Sequence, residues 1–139
     1  MIKRVIQFFV CLAIAFGFVV SASAQGSSGT KVVYHIDDAE SQGIKGLRNI
    51  RNHLDTAPNT TIIVVTHANG VDLLMEGAKD KKNNIEYAPL VSALKSRGVK
   101  FEVCEITLKN RNLKKDQFVL DADFTPSGVV RVADLQYKD

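Results

Sequence analysis

The 139-residue chain carries two cysteines and three histidines, so thiol or imidazole chemistry can come from only a few positions. Cys104 follows the run Val99-Lys-Phe-Glu-Val103 and stands just ahead of a segment, Thr107 to about Leu113, patterned as a short helix. A helix N-terminus carries partial positive charge, which favours the thiolate, the nucleophilic form of cysteine. The same residue type is also among those most often buried and inert in a core, so both readings of Cys104 stay open. His67 and Asn69 lie in the stretch Thr66-His-Ala-Asn-Gly70. There His67 can serve the thiol as a base or hydrogen-bond partner, or can simply hold a turn together with Asn69. His35 falls inside a strand pattern and reads as a core or edge histidine. Asp37-Asp38 reads as the cap of the helix that follows, and Thr107 as the cap of another. Zinc accepts sulfur and nitrogen donors, and a Cys104/His67/His35 set would leave one position open. No ligand spacing supports such a site, and no metal or cofactor is expected. Phosphate-binding glycine loops, serine elbows and helical histidine pairs have no match in the sequence.

The N-terminus explains the second cysteine. Lys3 and Arg4 precede an apolar stretch, Val5–Val20, and Ala22 and Ala24 stand in the small-residue run Ser21-Ala-Ser-Ala24. A positive end, an apolar middle and a small-residue cut site make a secretory leader. The rival reading is a retained membrane anchor. The stretch is 16 residues, short of the ~20 that span a bilayer, and no positive stop-transfer cluster follows it. Residues 1–24 are therefore read as a cleavable signal peptide that takes Cys11 with it. The mature protein is expected in the periplasm or outside the cell, with no stable membrane insertion. Removing 24 residues from 139 leaves 115, and removing Lys3 and Arg4 from 18 Lys+Arg leaves 16 against 15 Asp+Glu. So balanced a charge gives no argument for nucleic acid, which calls for a basic stripe and aromatic platforms. The densest basic cluster, Lys79-Asp-Lys-Lys82, reads as a solvated loop. With Cys104 left as the only thiol, no disulfide can form within the mature chain.

The elements that must position these residues follow from periodicity. Residues 25–30 form a flexible lead-in, and 31–139 a single domain. Lys31–Ile36 is a first strand. Ser41 to Leu54 is a helix with Ile44, Leu47, Ile50 and Leu54 on one face. Thr60–Val65 is a β-branched run of the kind covered on both faces. A short helix over Val71–Gly77 follows, then a helix opened by Pro89 and stopped by Gly98. Val99–Val103 is the third strand, and Val129–Ala133, after the turn Pro126-Ser-Gly128, the fourth. Alternating strand and helix patterns indicate an α/β domain with a mainly parallel sheet. Sites in open parallel sheets collect at the carboxyl ends of the strands. That edge would gather His35, Asp37, His67, Asn69, Cys104 and Thr107.

The segment Phe101-Glu-Val-Cys-Glu-Ile-Thr-Leu108 through Leu113 resembles the DsrE/DsrF-like (YchN-like) family, whose members show a strand ending in cysteine and then a threonine-leucine helix start. Lys31–Asp37, Ile62–Leu74, Leu90–Gly98 and a closing strand over Pro126–Gln136 agree with it, so the resemblance covers nearly all of the mature chain. It implies a three-layer α/β/α sandwich that assembles into homo-oligomers. For some cytoplasmic relatives it implies a cysteine that carries a persulfide and passes sulfur between a donor and an acceptor protein. Two function classes follow. One is an exported sulfur carrier or sulfurtransferase-like protein working through Cys104. The other is a non-catalytic oligomer that binds a small ligand or acts as a scaffold, with Cys104 structural.

Overall fold

A computed structural model describes residues 29–120 and 122–138. The proposed leader and most of the lead-in lie outside the described residues. Four strands form a parallel sheet in the order β1-β2-β5-β6: β1 (Lys31–Asp38), β2 (Thr61–Asn69), β5 (Lys100–Cys104) and β6 (Ala122–Thr125). Helix α1 (Ala39–Thr56) joins β1 to β2, and α2 (Ala88–Lys95) leads into β5. Helix α3 (Glu105–Arg111) follows β5, and α4 (Gly128–Tyr137) closes the chain after β6. Two two-residue strands, β3 (Lys79–Asp80) and β4 (Ile85–Glu86), make a small antiparallel hairpin between β2 and α2.

Strand alternation divides the sheet into two faces of different character. Ile62, Val64, Phe101 and Val103 point to one face, where they meet Leu47, Ile50 and Leu54 of α1 and Val91 and Leu94 of α2 in the main core. These α1 residues recur at helical spacing, so one stripe of the helix is buried and the opposite side stays in water. Asp38 starts α1 by accepting hydrogen bonds from the Ser41 amide at 2.8 Å and the Ser41 hydroxyl at 2.6 Å. These bonds hold the Asp38 carboxyl below its ordinary pKa. Tyr87, 2 % exposed, donates its hydroxyl to the Ala39 carbonyl at 3.1 Å. Burial first, then the neighbouring carboxylates, push its pKa up to about 12. The other face carries Val33, His35, Ile63, Val65, His67, Glu102 and Cys104 by the same alternation and register. Here α4 is the covering helix among the described residues, and Leu135 of α4 lies beside Val33 and Ile63. Helices on both faces of a mainly parallel sheet make the three-layer α/β/α sandwich. Among the described residues, no helix is long and apolar enough to cross a membrane.

The clearest departure from the sequence reading is at the C-terminal end. Val129–Ala133, expected as the fourth strand, lies inside α4, and the fourth strand is Ala122–Thr125. β-Branched residues favour strands only where a pleated surface awaits them. Here Ser127 caps a helix by accepting from the Val130 amide. The Arg131 guanidinium then grips Glu102 through Nε at 2.9 Å and Nη2 at 3.1 Å. Val129 and Val130 are left 60 % and 56 % exposed. Lys79–Lys82 is likewise no plain loop. Lys79 and Asp80 form β3, and Asp80, 4 % exposed, accepts from the amide and side chain of Asn83, both at 2.7 Å. Strand β2 continues to Asn69, past the expected turn, and the helix expected over Val71–Gly77 is a 3₁₀ turn over Gly70–Leu74.

Because Glu102 is 7 % exposed beneath α4, Arg131→Met should strand a buried carboxylate and cost ~3 kcal/mol of stability, the low end for a buried pair because Arg131 is partly solvated. The double variant Arg131→Met/Glu102→Gln should recover most of that loss. Chemical denaturation of both variants checks the pair.

Candidate functional site

The sulfur of Cys104 sits where β5 ends and α3 begins, with Cys104 itself in the cap position of the helix. Thr107, read from the sequence as the cap, is instead inside the first turn. The residue is 4 % exposed. Burial pushes the thiol pKa up, but the backbone amides of Gly128, Thr107 and Ile106 and the Thr107 hydroxyl together outweigh it and hold the thiol below its ordinary value. No side-chain cap bond closes at Cys104. These groups act as a ring of oriented dipoles rather than as one capping hydrogen bond. Thr107 is well placed for this, since its oxygen accepts from the Ala68 amide at 3.0 Å, leaving the hydroxyl proton free to turn to sulfur.

Gly128 contributes through the absence of a side chain. A Cβ there would stand 3.1 Å from the His67 Cβ and 3.2 Å from the Cys104 Cβ. Glycine thus lets the first turn of α4 settle close to the sheet without displacing either side chain, and so bring its amide to the sulfur. The sequence shows Gly128 only as part of a turn. The signal that could have found it is the Ser127-Gly128 pair read as a helix cap followed by a close approach.

His67 lies on the same sheet face as Cys104 and lines the same cleft. Its ring stacks on His35 with centroids 4.6 Å apart and planes inclined by 23°. Burial first, then repulsion from His35, lowers its pKa, and Asp37 opposes the shift. Its Nε2 is buried with no hydrogen-bond partner among the described residues. His67 is thus a neutral imidazole at neutral pH with an open nitrogen. Asn69 and Thr107 also line the cleft, whose volume is about 430 Å³. Asp37 does not. It stands exposed on β1, its amide donating to Gln42 Oε1 at 3.0 Å, and reaches the site only through its charge on His67.

Residues that the sequence reading left out complete the rim. Arg111 donates to the Ala68 carbonyl at 3.1 Å and pairs with Asp72 at 2.8 Å, so its charge is largely spent in holding β2 to α3. Ile106, 51 % exposed, and Val129 form an apolar border. Among the described residues, no three of His, Cys, Asp and Glu are grouped to hold a metal ion.

If the dipoles set the thiol's acidity, Thr107→Val should slow alkylation of Cys104 at pH 7 roughly tenfold, the worth of one charge-assisted hydrogen bond of ~1.4 kcal/mol. The sign follows from the lowered pKa. A depressed acid stabilises the fold above its unfolded pKa, and that contribution fades as pH falls through the folded value. The wild type should therefore gain stability over the variant as pH rises from neutral toward 9. Alkylation rates and denaturation midpoints measured across that window test both statements.

The chain matches the DsrE/DsrF-like family over residues 13–139. No curated protein matches it. Among solved structures it is similar to the protein of unknown function MTH1491 from Methanobacterium thermoautotrophicum. The two are 30 % identical with a TM-score of 0.69, over 77 % of this chain and 91 % of that one. It shares the fold of the ychN protein from E. coli, at 12 % identity and a TM-score of 0.63, over 80 % of this chain and 93 % of that one. With the family matched across almost its whole length, and a cysteine at the strand end where the resemblance requires it, the chain belongs to the DsrE/DsrF-like family.

Proposed function

We propose that this protein carries sulfane sulfur on Cys104. The observation that supports the reading best is the ring of amides and hydroxyl around a buried thiol, which favours the anion against the cost of burial. A thiolate held this way attacks the outer sulfur of a donor persulfide. The new bond joins Cys104 Sγ to the transferred sulfur, the donor's S–S bond breaks, and the donor leaves as a thiolate. An acceptor thiolate then attacks the same outer sulfur and returns Cys104 to its starting form, so no net oxidation occurs. His67 borders the same cleft as an uncharged ring and offers a hydrogen-bonding group to a bound donor or acceptor. The apolar border of Ile106 and Val129 fits a cleft that a protein donor or acceptor covers during transfer.

A second reading rests on one fact, the 4 % exposure of Cys104. A thiol so covered also suits a structural cysteine in a non-catalytic, ligand-binding oligomer. The two separate on one protein sample. Offered inorganic polysulfide, native protein should gain one sulfur atom by intact mass, and Cys104→Ser should gain none while keeping its melting temperature. Labelling of Cys104 only at the rate of global unfolding would end the carrier reading.

Export and assembly belong to the same proposal. The leader pattern supports secretion. The α4 face supports a homo-oligomer, since Val129 and Val130 remain largely open there and Val33 and Ile63 are only partly covered. Protein recovered from the soluble exported fraction should have the mass of a chain beginning at Gln25. It should also sediment as an oligomer at micromolar concentration, whereas membrane-bound protein with residues 1–24 retained, or a monomer at every concentration, would overturn the corresponding statement.

A further inference from the structure

On the face of the sheet remote from Cys104, α1 and α2 lie side by side with a groove between them of about 410 Å³. Its α1 wall is Ile44, Leu47, Arg48 and Arg51, and its α2 wall is Leu90, Ala93 and Leu94, with Arg97 in the turn just past the helix. The α1 series follows i, i+3, i+4, i+7 spacing and the α2 residues i, i+3, i+4, so each is a single stripe down its helix. In both, the apolar residues come first and the arginines last. The ion pair of Arg97 with Asp55 at 2.7 Å ties the two C-terminal ends together, so the arginines gather at one end of the groove. At the other end Ile85 of β4, 41 % exposed, extends the apolar floor beside Ile44 and Leu90.

The charges at the basic end are not balanced. Asp55 engages Arg97, while Arg48 and Arg51 make no hydrogen bond or ion pair among the described residues. Two free guanidiniums therefore border an apolar channel that runs ~10 Å along α1 from Ile44 to Arg51. The volume falls in the range of small-molecule sites, which are mostly apolar with a few placed polar groups. The apolar stretch at the start of the chain offers nothing to these arginines, because the first acidic residue in the sequence is Asp37.

We propose that this groove binds a small amphiphile with an anionic head and an apolar body, a free medium-chain carboxylate being the simplest case. The head meets Arg48 and Arg51, and the chain lies over Leu47, Leu94 and Ala93 toward Ile44, Leu90 and Ile85. Arginine suits the head because its planar fork pairs with both oxygens of a carboxylate. The site is independent of the thiol, so it stands or falls separately from the sulfur-carrier reading.

The test is an amide-resolved NMR titration of the mature protein with decanoate below its micellar concentration. Saturable shifts confined to residues 44–51, 85 and 90–97 are expected. Acetate, which has the head alone, and decan-1-ol, which has the tail alone, should each bind roughly tenfold more weakly or worse. Arg48→Gln/Arg51→Gln should weaken decanoate by a similar factor and leave the melting temperature and Cys104 alkylation unchanged, because both side chains are exposed. An absence of saturable shifts, or equal affinity in the double variant, overturns the proposal. So does shifting of the same amides with protein concentration alone, which would make a second copy of the chain the occupant. Binding of the wild type but not of the double variant to anionic phosphatidylglycerol vesicles, with no response to monomeric decanoate, would assign the arginines to a lipid surface and equally overturn it.

Discussion

A carboxylate cannot be placed under a helix without an answering cation, and in this chain that requirement decides where the last helix lies. Glu102 is on the face of β5 that α4 covers, two residues before Cys104, and the Arg131 fork closes on it with two short hydrogen bonds. An isolated buried pair of this kind contributes little net stability, because desolvation consumes most of the attraction. What it contributes is position. Few registers of α4 satisfy Glu102, and the one adopted brings the first turn of the helix over the end of β5. Gly128 then allows backbone to approach the sheet within side-chain distance of both His67 and Cys104. The acidity of the thiol thus depends on an ion pair that never touches it.

The asymmetry of the sheet follows from the same arrangement. One face is closed by two helices and holds nearly all the fully buried aliphatic side chains. The other is closed by one helix of 10 residues and holds the titratable groups. Such a division is physically sensible. A packed apolar face supplies the stability that a face rich in His, Glu and Cys cannot, because each of those groups costs desolvation energy unless it is paired. Glu102 meets that cost with Arg131, and Cys104 with amide dipoles. His67 leaves it partly unmet, as its open Nε2 and lowered pKa show.

Much of this arrangement was legible in the sequence because it rests on short-range rules. The continuous β-branched run at Ile62–Val65 marked a covered strand, and Ile44, Leu47, Ile50 and Leu54 marked the buried stripe of α1. The position of Cys104 at a strand end followed from five residues of pattern. The carboxyl-edge argument put Cys104, His67, Asn69 and Thr107 at one edge, where they line one cleft. It placed Asp37 in the same group wrongly, because β1 is the edge strand and its end points past the cleft. The valines of α4 were misread for a different reason. Residues 129–133 have strand propensity, and nothing local reveals that Arg131 has a partner 29 residues away. Tertiary pairing overrode propensity there, and no periodicity within the segment could have announced it.

The two helical stripes of the opposite face show the complementary case, in which the sequence displays every residue and the meaning appears only with the pairing. Arg48 and Arg51 lie off the buried stripe of α1, and singly each is a solvated side chain. Leu90, on the helix that Pro89 opens, is 36 % exposed. A helix face left open in that way costs solvation free energy of apolar surface, and arginine stems can cover part of it while keeping their charges in water. Set side by side in parallel, as two β-strand–helix units of a parallel sheet must be, the two stripes align apolar end with apolar end and basic end with basic end. The polarity of the groove is therefore a property of the topology as much as of the residues. Because the two helices run the same way, Arg48 and Arg51 of α1 and Arg97, just past the end of α2, gather at one end of the channel between them.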